Sequence, residues 1–479
     1  MSTIRSIAKN TIALIFSQVI SVTFGFFFVM YVARYLGAEG FGTLSFALAF
    51  TAIFSVFTDV GLSLLIIREV ARDKSLSGKY LANVGALKIA LSVITFGLVA
   101  LIINLLNYPE QIVSIVYIIA ISTIFNSFNI MFYAIFQAFE RMEFVAIGQI
   151  LSNSLQLVGA LYAINMDLSI TAFTLVYLIA SSITLGYNTL LSTWKFTKLR
   201  IEIDHNFWIE SLKQAWPFGL VVALSTVSYW ADSVMLSLMK GYEIVGWYNA
   251  AYRVIMVVLF IPSAYLNSVF PVMSRLYVSS KETLTIVYEK STKYMVTLAV
   301  PIGVGITILA DRIIVMIFGN DYSNSAIALQ ILVWSAVSIF ISALLVRLFN
   351  SLDRQVVVAK VTGSGALLNV ILNLIVIPKY GYVGAGTVTV ATEFIILSIF
   401  FTLSFRVGYG IPARKLIGIL IKVLIASTVM GVFVFSLRDL TLFALVPISA
   451  LLYFIALFMI GGIDREDINI FRKVIGKRE

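Results

Sequence analysis

The chain has 479 residues, of which 60% are AVILMFWYC and 12% are charged, a composition far from that of a soluble multidomain protein. Fourteen spans of about 20–23 residues would consume most of it, leaving loops of roughly 10–13 residues and no room for a large water-soluble catalytic domain. Its 34 Lys and Arg against 24 Asp and Glu give a net charge of +10, and the absence of cysteine excludes disulfides and thiolate chemistry.

In chain order, apolar runs of spanning length fall near 11–33, 42–67, 82–106, 112–137, 144–164, 169–192, 216–238, 246–270, 294–319, 325–349, 356–378, 382–405, 414–436 and 440–462. The first follows Arg5 and Lys9. It is too long for a signal-peptide h-region and has no cleavage site after it, so it reads as a retained first membrane helix. The single histidine, His205, sits in the polar stretch Ile201 to Trp208 and reads as a solvated loop residue. An even number of spans puts both ends on one side. On that side the segments hold 24 Lys and Arg, whereas the opposite loops hold only Arg34, Lys240, Lys379 and Arg438. This asymmetry predicts a multi-pass protein of the cytoplasmic membrane with both termini cytoplasmic, and it accounts for the basic balance without a nucleic-acid partner.

Gly37-x-Glu39-x-x-Gly42 recurs as Gly241-x-Glu243-x-x-Gly246, each entering the second helix of its half, and Arg141 and Arg354 follow at a similar offset. Six helices per half give the halves the same membrane orientation. The expected architecture is an all-α integral membrane protein. It has a six-helix lobe over 1–200, a second over 201–408, helices 13 and 14 over 409–463, and a cytoplasmic tail over 464–479. A central cavity between the lobes follows as a hypothesis.

No G-x-S-x-G, P-loop, H-E-x-x-H or D-x-D motif is present, and the short outer loops disfavour a membrane glycosyltransferase or polymerase. Chemistry must therefore come from polar groups at bilayer depth, where a charge costs several kcal/mol unless it faces a bundle interior or water. Asp59, Lys88, Asp232, Arg253, Arg312, Arg347, Lys360, Glu393 and Lys422 qualify, with Asp311 beside Arg312 on a helix expected to break after Pro301. Arg347, Lys360 and Arg34 lie near span ends, where a long stem can snorkel. Lys88 and Arg253 sit about two turns in, and either line a cavity or pair structurally.

Counted at about 1.5 Å per residue, Asp232, Asn369, Asn373 and Thr389 share a depth of roughly 10 Å below the outer boundary. Asn369 and Asn373 share a helix face, so a carboxylate, two amides and a hydroxyl form a candidate all-oxygen site for a monovalent cation. Interhelical hydrogen bonding uses the same residues equally well. Glu393, one turn beyond Thr389, is the candidate protonatable carboxyl. Gln149, Asn153 and Gln156 occupy one helical face, as do Asn126 and Asn129. Both stripes suit a sugar-lined cavity or lobe packing.

Ala33-Arg34-Tyr35-Leu36-Gly37 with Phe41-Gly42, then Asp59, Gly61 and Arg68-Glu69-Val70-Ala71-Arg72, resemble the start of Wzx-type polysaccharide flippases. Phe139-Glu140-Arg141-Met142, Val245-Gly246-Trp247-Tyr248-Asn249-Ala250-Ala251, Phe318-Gly319 with Tyr322, and Pro378-Lys379-Tyr380-Gly381-Tyr382-Val383-Gly384-Ala385 are similar to that family's later motifs. The resemblance implies the multidrug/oligosaccharidyl-lipid/polysaccharide exporter superfamily, with two lobes and alternating access. It implies a lipid-linked oligosaccharide on polyprenyl phosphate or pyrophosphate as substrate, with membrane lipids and glycan-assembly enzymes as partners. Lipid II flippases of the superfamily bind sodium through an acidic residue of helix 7, polar residues of helix 11 and a threonine of helix 12. Asp232, Asn369, Asn373 and Thr389 match that set, with Asn373 standing where a second carboxylate is expected.

On this reading Arg34, Lys88 and Arg253 attract the phosphate and no cofactor is needed. A sodium ion at Asp232 or a proton at Glu393 drives the lobes. The alternatives are a cation-coupled drug or metabolite antiporter of the same superfamily and a membrane glycosyltransferase or polymerase.

Overall fold

A polypeptide in hydrocarbon must satisfy its own backbone hydrogen bonds, which leaves only helices or a closed barrel. A computed structural model describes residues 2–196 and 204–463, residues up to 17 by backbone alone, and here every regular element is helical. The expected tail over 464–479 lies outside the described residues.

In chain order the helices are α1 (Ser2–Asp59), α2 (Leu62–Arg72), α3 (Ser77–Leu105), α4 (Glu110–Ala138), α5 (Met142–Asn165), α6 (Ile170–Lys195) and α7 (His205–Lys240). There follow α8 (Tyr242–Val258), α9 (Phe260–Ser279), α10 (Lys281–Phe318), α11 (Ser325–Ser351), α12 (Gln355–Arg406), α13 (Ala413–Ser436) and α14 (Leu442–Met459). Among the described residues, twelve continuous helical stretches are long and apolar enough to cross a membrane, α8 and α9 forming one of them. Two of the twelve are double. At 52 residues α12 would be about 78 Å long if straight, more than twice the hydrocarbon thickness, and it breaks at Gly381 (φ 56°, ψ −137°). Likewise α1 breaks at Gly37 (φ 67°, ψ 179°). Glycine alone takes such dihedrals without a Cβ penalty. Dividing both helices there recovers the fourteen segments expected from hydropathy. The second expected span, 42–67, is interrupted after Asp59, where Val60 (φ 46°) and Gly61 (φ 83°) turn the chain from α1 into α2. The expected break after Pro301 is not present: α10 runs through it to Phe318. Packing on neighbouring helices compensates the one backbone donor that proline lacks.

The chain divides into two compact units, Met1–Asn249 and Ala250–Glu479. In the first, the two copies of the glycine repeat meet. Gly37 and Gly241 both have positive φ. A methyl group at Gly42 would overlap the Tyr242 carbonyl, and one at Gly246 would overlap the Ala38 carbonyl, so each copy supplies the small residue that admits the other's backbone. Farther along, Gly61 and Gly219 play the same part, each facing the other strand of a close crossing of the α2 start on α7.

In the second unit, α10, α11 and α12 build a core around Phe340, Leu344, Leu348 and Phe400. Helices α13 and α14 pack on α10 through Val296, Val300, Val423, Ala426 and Tyr453, whose hydroxyl donates to the Thr297 carbonyl at 2.8 Å. Their other faces carry exposed Ile417, Ile421, Leu424, Leu451 and Phe458, as lipid-facing surfaces do. Between α2 and α3, outside the spans, Asp73 accepts from the Ser75 hydroxyl at 2.7 Å and amide at 2.9 Å, and these bonds hold its carboxyl below the ordinary value.

Candidate functional site

The most heavily committed charges lie where α1 turns into α2. Lys88 of α3 is fully buried, and its Nζ donates to Asp59 Oδ1 at 2.5 Å and to the Ser127 carbonyl of α4 at 2.9 Å. Asp59 Oδ1 also accepts from Ser63 Oγ at 2.5 Å. The Asp59 side chain retains 25% exposure, whereas that of Lys88 has none. Nearby, Thr51, Ser55, Thr58, Thr95 and Thr123 line a cavity of about 10 Å³, the size of a single water. Sequence alone named both charges but gave no means of pairing them, because their approach depends on the turn at Val60.

Asp232 on α7 is buried and accepts from Tyr248 Oη at 2.6 Å. One residue on, Ser233 is bonded to Asn249, whose amide donates to Ser233 Oγ at 3.0 Å and to the Val245 carbonyl at 3.0 Å. Tyr248 thus shares the hydrophobic-looking motif that opens α8, but its hydroxyl serves the carboxylate. Helical spacing within one segment could not show this.

In the second unit, Asn373 Nδ2 donates to Asn369 Oδ1 at 3.0 Å, the expected i,i+4 pair, and both side chains are buried. Asn369 Nδ2 reaches Thr392 Oγ1 at 3.4 Å. Thr389, the threonine singled out by depth, is half-buried and donates to the Ala385 carbonyl at 3.0 Å. Thr392, one turn further along α12 than Thr389, thus also brings a hydroxyl to the amide pair. Glu393 follows directly, half-buried, and among the described residues its carboxyl has no hydrogen bond or ion pair. Asp232 belongs to the first unit and the asparagine pair to the second.

Of the candidate phosphate-attracting cations, Arg34 is exposed and engaged with neighbouring groups, Arg253 is half-buried with no side-chain hydrogen bond or ion pair among the described residues, and Lys88 is held as above. Other intramembrane cations are spent locally. Arg347 donates to Asn267 Oδ1 at 3.2 Å and lies 5.5 Å over the Phe270 ring. Arg312 clasps the turn after α13 through the carbonyls of Arg438 and Leu440. Lys360 is exposed.

The polar stripes divide. Asn129 is buried and accepts from Asn188 Nδ2 at 2.8 Å, which makes it part of the packing of α4 on α6, whereas Asn126 is exposed. Gln149, Asn153 and Gln156 are half-buried and bond mainly within α5. His205 is exposed at the first turn of α7, edge-on to Trp208. No cluster of three or more His, Asp or Glu suited to a metal occurs among the described residues. These groups can bind ions and hydroxyls; none is arranged as a nucleophile with its base.

The fold and these groups define a multi-pass α-helical membrane protein. The chain matches the family described as polysaccharide biosynthesis protein over residues 7–277, and it belongs to that family. Residues 217–375 also match the MatE family. It is 22% identical to the probable low-salt glycan biosynthesis flippase Agl15 of Haloferax volcanii over 80% of each chain. It is likewise 22% identical to the capsular polysaccharide biosynthesis protein CapF of Staphylococcus aureus, over 81% of this chain and 97% of that one. Among solved structures, the lipid II flippase MurJ in an inward closed conformation superposes with a TM-score of 0.75 at 18% identity, covering 98% of this chain and 99% of that one. That likeness establishes the fold, including the α13–α14 pair.

Proposed function

We propose that this protein is a flippase that moves a lipid-linked oligosaccharide across the cytoplasmic membrane by alternating access, and that it is not an enzyme. The observation that carries the reading is the polysaccharide-biosynthesis family match over 7–277 on a chain whose polar groups are ion- and hydroxyl-binding rather than reactive. The physical task fits. Each buried hydroxyl without a partner costs ~2–7 kcal/mol, so a sugar chain needs a polar, wet route while its lipid stays in the bilayer. The distribution of Lys and Arg supports an orientation with both termini cytoplasmic.

Phosphate attraction is assigned to Arg34 and Arg253. Lys88 joins them only by releasing Asp59. Coupling is assigned to a proton on Glu393, the half-buried carboxyl without a partner among the described residues, or to sodium, with Asp232 the candidate ligand in the first unit and Asn369, Asn373, Thr389 and Thr392 those in the second. One charge crossing 100 mV supplies ~2.3 kcal/mol.

The test is reconstitution of the purified protein in liposomes carrying fluorescent lipid-linked oligosaccharide, read by accessibility to a membrane-impermeant quencher with and without proton or sodium gradients. Protein-dependent exposure of the inner pool supports the reading, and a rate equal to protein-free vesicles overturns it. Arg34→Ala with Arg253→Ala is expected to slow exposure about tenfold or more, the loss of a charge-assisted contact. The MatE match over 217–375 favours a second reading, a cation-coupled drug or metabolite antiporter. Gradient-driven movement of soluble cations with no movement of the lipid-linked sugar would select it.

A further inference from the structure

The small cavity lined by Thr51, Ser55, Thr58, Thr95 and Thr123 lies in the first unit and takes no part in the function proposed above. Three helices build it. Thr51, Ser55 and Thr58 recur at helical spacing on one face of the second half of α1, Thr95 comes from α3, and Thr123 comes from α4. Thr51 is nine residues inside Gly42, and Thr95 is ten residues before the end of α3 at Leu105. At 1.5 Å per residue both lie about 14–15 Å in, half the depth of a hydrocarbon core of about 30 Å. Thr51, Thr58 and Thr95 are buried, Ser55 and Thr123 half-buried. Among the described residues the rest of the lining is apolar.

A hydroxyl carries one hydrogen and two lone pairs, so the direction of the hydrogen decides what the cavity meets. Thr51 donates to the Ala47 carbonyl at 2.8 Å and Ser55 to that of Ala52 at 2.6 Å. Thr58 donates to the Ser55 carbonyl at 2.6 Å and Thr95 to that of Leu91 at 2.8 Å. These four hydrogens stay on their own helices, a common arrangement for Ser and Thr inside a helix. Thr123 donates to Thr51 Oγ1 at 3.4 Å, the long end of hydrogen bonding. The hydroxyls therefore turn lone pairs, and no spare hydrogen, toward the cavity. A water can donate to only two of these oxygens and meets no donor among them for its own lone pairs. A cation attracts every oxygen within reach.

The ligand set also fixes the kind of cation. Hard ions prefer oxygen, and divalent ones are held by carboxylates, whereas these oxygens are neutral and lie at a depth where desolvating a second charge is prohibitive. The Thr51 and Thr123 oxygens, 3.4 Å apart, are spaced as two ligands of one ion held about 2.3–2.6 Å from each. The volume of about 10 Å³ admits one such ion without its hydration shell.

We propose that Thr51, Ser55, Thr95 and Thr123 bind a dehydrated sodium ion at mid-membrane, the Thr123 hydrogen turning to its own helix as the others do. Thr58, about one turn farther along α1 and next to Asp59, marks the way in, because the Asp59 side chain keeps 25% exposure. The Lys88 ammonium does not oppose the ion, since Asp59 matches it at 2.5 Å. These ligands are other residues than the sodium ligands considered for coupling, and the site does not depend on which substrate is moved.

Equilibrium binding of radiolabelled sodium to the full chain in detergent tests this, in the wild type and in Asp232→Asn, which removes the carboxylate of the other candidate sodium site. Saturable binding is expected in both, with potassium competing only at concentrations about tenfold or more above those of unlabelled sodium, as the cavity size requires. In the Asp232→Asn background, Thr51→Val with Thr95→Val is expected to raise the apparent Kd about tenfold or more, the loss of two contacts to a charge. Thr51→Ser with Thr95→Ser keeps both oxygens and retains binding. Thr123→Val, at a half-buried position, raises the Kd by less and serves where the Thr51→Val, Thr95→Val protein does not fold. Absence of saturable sodium binding in a folded Asp232→Asn protein, the behaviour of a cavity that takes water alone, would refute the proposal. So would equal competition by potassium, or an unaltered affinity in the folded Thr51→Val, Thr95→Val protein or in Thr123→Val.

Discussion

Two carboxylates inside the membrane have opposite circumstances. Asp59 is bound by a fully buried ammonium and a serine hydroxyl, all within 2.5 Å, at a turn held by Val60 and Gly61 in the left-handed region. Glu393, half-buried on α12 one residue from the Asn369–Asn373–Thr392 cluster, has no partner among the described residues. A charge already matched in the folded state holds helices together, because releasing it exposes both members to hydrocarbon. A carboxyl with nothing to release can gain or lose a proton, or meet an ion, at little structural cost. The difference marks the first region as a brace and supports the proposed coupling role of the second.

The contrast can be broken at several points. Lys88→Met leaves Asp59 without its counterion, and removal of one partner of a buried pair costs about 3–5 kcal/mol. A large drop in thermal midpoint by fluorescence-detected size exclusion is expected, and Lys88→Met with Asp59→Asn should recover most of it. A single mutant as stable as wild type would show that the pair is not a brace. Tyr248→Phe removes the 2.6 Å donor to Asp232 and should cost about 1.5–3 kcal/mol by the same measurement, the range for a hydrogen bond to a charged group. Thr392→Val should cost less than about 1 kcal/mol, since its 3.4 Å contact with Asn369 is at the long end of hydrogen bonding. Glu393→Gln should change stability by no more than about 0.5 kcal/mol, the usual result where no specific contact is lost. Its effect should appear instead in transport, as loss of the dependence on a proton gradient.

Hydropathy revealed the spans because a membrane helix must be continuously apolar over a fixed length, and the glycine repeat contains Gly42 and Gly246, where its two copies meet. Hydropathy also separated 11–33 from 42–67 and 356–378 from 382–405, but it did not show that Gly37 and Gly381 turn an otherwise continuous helix at those gaps. A single residue's dihedral angles leave no periodic trace. At the site, the Asn369–Asn373 pair was legible because both lie on one helix face. The Asp59–Lys88 and Asp232–Tyr248 contacts were not, since each joins residues on different helices whose relative rotation only packing decides. Thr392 was not singled out, because depth counted along a helix does not say which face a residue occupies.

The decisive measurement compares gradient-driven movement of lipid-linked oligosaccharide by wild type, Glu393→Gln and the Lys88→Met, Asp59→Asn double variant in the same liposomes. The account expects the wild type and the double variant to respond to an imposed proton gradient and Glu393→Gln to move the lipid only at its gradient-free rate. A fully gradient-driven Glu393→Gln protein beside a folded but inactive double variant would contradict it.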